Sequence, residues 1–262
     1  MRHGVRPRSH GGGGAHDPPD HLMDLSRRDT ELIELMDDPS CDPATLDLTY
    51  ARFGIVNRVV AGWRGVYRSR IRPLLSAERE TTLLDIGSGG GDVPLALARW
   101  ARRDGLRLHV TGIDPDPRAA AFARARPRDP DVEFLAASSA ELAADGRRFD
   151  LVTSNHVLHH LDAAAFDALL ADSAALAPRA IHSDIARGRL AYALYGPASR
   201  LVARGSFVHV DGLRSIRRSW TPVELALRVP AGWRVEGAVP FRVLVVRDPA
   251  AGGAGPADRT GR

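Results

Sequence analysis

Residues 85–91 read Asp-Ile-Gly-Ser-Gly-Gly-Gly, a carboxylate two residues ahead of glycines at the alternate positions 87, 89 and 91. Glycine permits positive φ and lets backbone come close to a ligand. A helix starting behind such a turn offers free N–H groups and the positive end of its dipole. A dinucleotide turn would need G-x-G-x-x-G. Counted from Gly87 the third glycine position holds Asp92, and counted from Gly89 it holds Pro94. Asp85 would repel a pyrophosphate but suits a ligand carrying an ammonium and a sulfonium. Further on, GIDPDP places Asp114 at the end of an apolar run, where one carboxylate can accept from both hydroxyls of a ribose. The ligand these residues describe is a nucleoside with a cationic amino-acid tail and no phosphate. A second group, His156, His159 and His160, follows the run FDLVTS. Imidazole is the side chain suited to accepting a proton near neutral pH.

These residues need a sheet edge to gather on, and the sequence supplies one. Apolar runs at 81–86, 106–113, 132–137, 149–154 and 179–185 read as strands. Amphipathic stretches between them, DVPLALARWARR, DPRAAAFARARP and DAAAFDALLADSAALA, read as helices. Strand and helix alternating with short loops make a parallel sheet with helices on both faces. The chain then ends in WRVEGAVPFRVLVVRDP, two strands joined too closely for a crossover, which predicts an antiparallel hairpin at one edge with Pro240 in its turn. Ligands of such sheets sit at the carboxyl ends of the strands. Asp85, Asp114 and the histidines all fall there. Asp92 and Asp116 are expected as caps of the helices that follow the first two strands.

Ahead of the sheet, residues 23–77 predict a helical cap. It comprises a helix from Ser26 or Asp29 with Leu32, Ile33 and Met36 on one face. A longer pattern follows, through Leu46, Tyr50, Phe53, Val56, Val59, Val60, Trp63, Val66 and Ile71, with one or two breaks suggested by Gly54 and Gly62. Residues 78–249 form the main domain, with a lid inserted at about 187–229 that holds a helix over RLAYALYGPASRLVA and then a loop over SFVHVDGLRSIRRS. Residues 1–22 and 250–262, rich in glycine and proline, read as disordered tails.

Composition narrows the chemistry. All 36 basic residues are arginine. Without lysine there is no phosphate loop of the G-x-x-x-x-G-K-[ST] kind, no pyridoxal Schiff base and no kinase strand lysine. A net charge of +4, with the basic residues scattered among 32 acidic ones, points away from nucleic acid. The single cysteine, Cys41, allows no internal disulfide and no multi-cysteine metal site. No apolar stretch reaches membrane-span length, and the N-terminus lacks the apolar core of a secretory signal, so a cytoplasmic location is expected.

From Leu83 to Leu161 the chain resembles the class I S-adenosylmethionine-dependent methyltransferases. The glycine turn, GIDPDP and FDLVTSNHVLHHLD occur in the family's order. The resemblance implies a Rossmann-like sheet of seven strands, mostly parallel with a reversed last strand, and S-adenosylmethionine as cofactor. It implies that Gly87, Gly89 and Gly91, with Ser88 in the turn, meet the methionine and ribose part. Asp85 lies near the amino group, Asp114 takes the ribose hydroxyls and Pro115 lies against adenine. Where many members have an aspartate after the third strand, this chain has Ser138, so Ser138 or the Ser139 backbone takes the adenine edge. Asn155 falls where a backbone carbonyl meets the ammonium. His156 is the first candidate base, with His160 and Asp184 beside it. His159 is read as facing solvent, and His182, His209 and Asp211 as further groups within reach. No acidic cluster suggests a divalent metal, so metal-independent transfer is expected.

The segment RFGIVNRVVAGWRGVYRSRI is similar to that preceding the cofactor loop in quinone C-methyltransferases. The whole chain is similar to bacterial methyltransferases associated with type III polyketide synthases. This implies a small, apolar aromatic acceptor, phenolic or quinonoid, with Tyr50, Phe53, Trp63, Tyr67, Tyr192, Tyr195, Phe207 and Trp220 as candidate lining. A monomer or homodimer is expected. Ser154-Asn155-His156-Val157 after the fourth strand is not the N-P-P-[YF] of amino-group methylation, which argues against methylation of nucleobases or glutamine; a protein or RNA methyltransferase is the alternative among enzymes. A noncatalytic S-adenosylmethionine-binding scaffold remains the alternative from another class.

Overall fold

The computed structural model describes residues 24–60, 62–238 and 241–249. The readings of residues 1–22 and 250–262 as tails, and of Pro240 as a turn residue, lie outside that range.

Seven strands form one sheet in the order β3-β2-β1-β4-β5-β7-β6. They are β1 (Thr81–Ile86), β2 (Leu108–Asp114), β3 (Val132–Ala136), β4 (Leu151–Asn155), β5 (Ala180–Ile185), β6 (Trp233–Ala238) and β7 (Arg242–Arg247). The first five are mutually parallel; β7 runs antiparallel to both β5 and β6. The expected Rossmann-like sheet with a reversed last strand is the one observed. β1 and β4 sit at its centre and are buried nearly throughout, which is why they read as continuous apolar runs rather than alternating ones.

Nine helices among the described residues surround the sheet: α1 (Pro43–Val60), α2 (Trp63–Val66), α3 (Asp92–Arg103), α4 (Pro117–Ala125), α5 (Ser139–Ala144), α6 (Ala163–Leu176), α7 (Arg189–Val202), α8 (Val208–Arg218) and α9 (Pro222–Arg228). Two apolar layers hold them. On one face Leu97 and Ala101 of α3 pack with Trp63, Tyr67, Ile71, Leu83 and Val110. On the other Phe166 and Leu170 of α6 pack with Leu84, Val152, Leu225 and Val245. Each fully buried large side chain contributes about 1.5–3 kcal/mol. The exposed ion pairs, such as Arg72–Asp104 and Arg79–Asp150, contribute at most about 1 kcal/mol each. Apolar burial therefore decides the fold.

Three expectations are corrected and one is narrowed. Residues 26–36 are not a helix but a strap with one 3-10 turn at Leu35–Asp37. Its polar backbone is satisfied by α8 and its neighbours instead of by itself. Asp211 accepts from the N–H groups of Leu35 (2.7 Å) and Met36 (3.0 Å), Arg214 donates to the Ile33 carbonyl at 2.6 Å, and Arg218 donates to that of Leu32. The supposed apolar face fails with it, since Ile33 is exposed while Glu34 is buried. Residues 208–218, read as loop, form α8. Its buried face mixes Val208, Gly212 and Ile216 with Asp211, Ser215 and Arg218, and the charged residues on that face are what read as a loop. Gly54 lies within an uninterrupted α1, and Gly62 (φ 64°) alone makes the break. Asp92 is the first residue of α3, not its cap: Gly91 holds that position, and Asp92 accepts from Asn57 at 3.1 Å. Asp116 does cap α4, accepting from the Arg118 N–H at 2.8 Å.

Candidate functional site

A cavity of about 630 Å³ opens at the carboxyl ends of β1, β2 and β4, between the sheet edge, α1, the strap and α8. This is the size range of small-molecule sites. One half is built from the glycine turn. Gly87, Gly89 and Gly91 all have positive φ, at 67°, 51° and 75°. At Gly87 a Cβ would come within 2.5 Å of Val157 Cγ2, and at Gly91 within 2.4 Å of Phe134 Cζ. Those two glycines thus let the turn pack against its own neighbours. Gly89 is different: nothing lies within 4 Å of where its Cβ would stand, so its backbone faces open space. Gly87, Ser88, Gly89 and Gly90 line the cavity. Gly91 lies behind them at the helix start, outside the lining, where Gly90 stands instead.

Asp114 ends β2 with one oxygen accepting the Gly89 N–H and the other the Asp116 N–H, both at 2.9 Å. Each oxygen keeps a free lone pair, so the carboxylate is oriented yet able to take two more donors. Asp85 faces the same cavity from β1. It is almost wholly buried and held by the Thr153 hydroxyl at 2.6 Å. Burial pushes its carboxyl up to about 7, with Thr153 opposing and Asp92 and Asp114 adding to the rise. Pro115, Ser138, Ser139 and Asn155 also line the cavity. The Ser138 hydroxyl is engaged in a capping box with Glu141 at the start of α5. Ser139 donates to Asp172 of α6 at 2.7 Å, which brings into the lining a carboxylate that sequence reasoning missed.

The other half carries the histidines. His156 has φ 59°, left-handed and unusual for a non-glycine residue. Its N–H donates to the Ser183 carbonyl at 2.9 Å, and Arg242 Nη1 donates to its Nε2 at 2.8 Å. Burial, reinforced by the Arg242 charge, holds its imidazole well below the usual histidine range. The ring is neutral with Nε2 as the accepting nitrogen, and Arg242 occupies that lone pair. This corrects His156 as the leading base. Asn155 shares the same guanidinium, accepting from Arg242 Nη2 at 2.5 Å.

His159 is buried, not solvent-facing. Its Nδ1 lies 2.8 Å from Asp184 Oδ1, its backbone N–H donates to Asp184 Oδ2 at 2.9 Å, and its Nε2 is 3.2 Å from Glu34 Oε1. Burial alone would depress its pKa, but the two carboxylates outweigh it and hold the ring above the ordinary range. Asp184 is therefore a positioning group for His159. It stands behind His159 rather than in the cavity lining. His160 is partly exposed in the cavity wall, with Nδ1 3.1 Å from Asp37 and Nε2 3.8 Å from Glu34. Glu34 and Asp37, both on the strap, were invisible to motif reading.

Other candidates fall elsewhere. His182 is buried beneath Trp233 and bonded to Ser154 Oγ at 2.8 Å, its pKa driven down to about 3 by burial. His209 bonds Ser199, and Asp211 anchors the strap. Of the eight aromatics, Tyr50, Phe53 and Tyr195 line the cavity. Trp63 and Tyr67 belong to the core, Phe207 packs beside Leu46 and Tyr50, and Trp220 donates to the Leu158 carbonyl at 3.2 Å under Arg28. Tyr192 is buried in α7, outside the lining.

The strand order, the glycine turn after β1 and the carboxylate ending β2 define the Rossmann-like fold of methyltransferases. Residues 83–178 match the family described as methyltransferase domain. Among curated proteins the chain is 33% identical over 92 residues to the demethylmenaquinone methyltransferase of Chlorobaculum tepidum, covering 35% of each. It is 38% identical over 88 residues to a ubiquinone biosynthesis O-methyltransferase of a Methylobacterium species, covering 32% of this chain and 33% of that one. The matched region is about a third of those relatives' length. Among solved structures, human N-acetylserotonin methyltransferase in complex with SAM has a TM-score of 0.56 at 14% identity, over 79% of this chain and 57% of that chain. The plantazolicin methyltransferase BpumL with SAH has 0.53 at 11%, over 82% and 93%.

Proposed function

We propose that the chain is an S-adenosylmethionine-dependent methyltransferase acting on a hydroxyl or activated ring carbon of a small, apolar aromatic acceptor. The observation that carries this is the joining, in one cavity, of the Asp85–glycine–Asp114 half with a histidine-bearing half walled by Met36, Tyr50, Phe53 and Tyr195. The residues present fit the cofactor: open space at Gly89, unused lone pairs on Asp114, and a buried carboxylate at Asp85 for an ammonium. When bound, S-adenosylmethionine supplies an already activated methyl group. The chain's own residues then align the acceptor, exclude water and take up a proton. Asp114 binds the ribose hydroxyls, and Pro115, Ser138 and Ser139 border the base. His160 activates the acceptor, since His156 is held by Arg242 and His159 is buried between carboxylates. The helices of 187–229 and the strap serve as a lid. The quinone-directed names of the curated relatives support a phenolic or quinonoid acceptor. A polyketide-derived acceptor is the narrower form, supported by sequence resemblance.

Calorimetric titration with S-adenosylmethionine, S-adenosylhomocysteine and NADH, followed by assay of S-adenosylhomocysteine release with phenols and quinones, tests this. Binding of the first two, with release in the presence of an acceptor, is expected. Binding of NADH alone would overturn the cofactor, and binding without turnover across acceptors would leave a scaffold.

Two results should follow. Asp114→Ala removes charge-assisted hydrogen bonds of about 1.5–3 kcal/mol and should weaken cofactor binding by about 10- to 150-fold in the same titration. Asp85 gives binding a pH dependence. Its carboxyl in the free protein ionises near pH 7, and an ammonium partner requires the ionised form. Below pH 7 binding must first expel a proton, so affinity should fall by up to about tenfold per pH unit, while above pH 7 this contribution is flat. Titrations between about pH 5.5 and 7.5 should show that slope in the native chain and lose it in Asp85→Asn. For folding the sign is reversed. The folded chain holds a proton that the unfolded chain releases between about pH 4 and 7, so this group adds stability as the pH falls.

A further inference from the structure

We propose that Glu34, His159 and His160 form a binding site for a divalent cation of the zinc, iron or cobalt kind, open toward the acceptor end of the cavity. The three side chains bring one carboxylate oxygen and two ring nitrogens within 4.8 Å of one another. His159 Nε2 is 3.2 Å from Glu34 Oε1, and His160 Nε2 is 3.8 Å from Glu34 Oε2. Ligand atoms around a tetrahedral ion with bonds of 2.0–2.1 Å stand about 3.3 Å apart, so the set is nearly in place.

Two independent features point to a ligand here. First, His159 Nε2 is buried and makes no hydrogen bond, with Glu34 Oε1 standing 3.2 Å away as its ion-pair neighbour. Second, both imidazoles are held from behind by carboxylates: His159 Nδ1 by Asp184 at 2.8 Å and His160 Nδ1 by Asp37 at 3.1 Å. That carboxylate–histidine arrangement fixes the tautomer with Nε2 as the metal-facing nitrogen, and it is how metal-bound imidazoles are generally oriented. Two imidazoles and one carboxylate suit zinc, iron, cobalt or manganese rather than magnesium or calcium. Three protein ligands leave positions for an exogenous oxygen. The neighbouring triad of His156, His159 and Asp184 is a poorer choice, because His159 Nδ1 is already bonded to Asp184 and the Arg242 charge sits on His156.

A cation there would favour the ionised form of an acceptor hydroxyl, whose proton is released to solvent. With Nε2 on the cation, His160 would act on the acceptor through the ion rather than as the proton acceptor itself; this rests on the proposed function for that role alone, and cation binding needs neither cofactor nor acceptor. It also departs from the metal-independent transfer expected from sequence. Glu34 sits on the strap, far from the histidines along the chain, so no ligand spacing could be seen.

The test is titration of the full chain, stripped with a chelator, with Zn2+ in the absence of S-adenosylmethionine, and with Co2+ followed by its visible absorption. One ion per chain is expected, with at least about tenfold weaker binding in Glu34→Gln and in His160→Ala, and about 10- to 100-fold weaker binding in Asp37→Asn. Circular dichroism would verify that each variant is folded. No stoichiometric binding would overturn the proposal. So would unchanged binding in both Glu34→Gln and His160→Ala, or binding abolished by replacing His3, His10 and His16 instead. Cation binding without methyl transfer would leave this site standing and remove the proposed function. Methyl transfer that persists in the chelated chain, together with no cation binding in the titration, would do the reverse.

Discussion

Replacing His160 with alanine is expected to lower turnover by about 10²- to 10⁴-fold, the range for loss of a positioned proton-transfer group, while cofactor affinity stays near that of the native chain. Of the three histidines, all of which line the cavity, His160 is the one neither buried between two carboxylates nor bonded by Arg242. Its Nδ1 is steadied by Asp37, and its Nε2 is turned to the side on which Glu34 stands. His156 also lines the cavity, but Arg242 fills its lone pair. His156→Asn, which tolerates the left-handed backbone, should therefore lose far less turnover than His160→Ala. Single-turnover release of S-adenosylhomocysteine, with cofactor affinity measured alongside, separates the two effects. Native turnover in His160→Ala would remove this residue from the reaction, and a larger loss in His156→Asn would return the role to His156.

Asp184→Ala should produce the largest loss of stability, about 3–5 kcal/mol in denaturant unfolding, as expected when one partner of a buried charged network is removed. The carboxylate is 1% exposed and accepts from the His159 backbone, the His159 ring and the Ile185 N–H. Its ionised form is strongly favoured because His159 and Arg242 offset the cost of burial. Removing it leaves His159 with Glu34 alone and strands an N–H group in the interior. Against a typical total of about 5–15 kcal/mol, that loss brings the chain close to unfolding. Asp184→Asn, which keeps an acceptor for the ring, should lose less. Equal, small losses in both variants would show that the network is not what holds the strap and β5 together.

The parts of this molecule legible in sequence are those whose burial is apolar. β1 and α3 were readable to the residue because Leu83, Leu84, Val93 and Leu97 face a dry core. The glycine turn and Asp114 were readable because a positive φ and a strand-end carboxylate leave few alternatives. The histidine half was not, because it is buried by polar contacts. α8 turns Asp211, Ser215 and Arg218 inward, and the strap that meets it is held by their hydrogen bonds rather than by an apolar face. The strap gives hydrophobic periodicity nothing to detect, and Glu34 belongs to no motif; α8 does bury Val208 and Ile216, but among charged side chains. α5 did leave a signal, the Ser138-x-x-Glu141 capping box, in a helix too short to show a period.

Arg242 has a bearing on biosynthesis. The guanidinium that locks His156 and Asn155 arrives on β7, the last strand to be made, and the strand it pairs with at the site, β5, waits for it with Ser183 also among its acceptors. Glu34, at the opposite end of the chain, reaches the same site only after α8 exists to hold the strap. A nascent chain on the ribosome can thus pair β1 to β4 and form the glycine turn long before its acceptor-side residues are in register. The histidine half of the cavity is thus built from residues far apart along the chain, with the last of the described strands supplying its guanidinium.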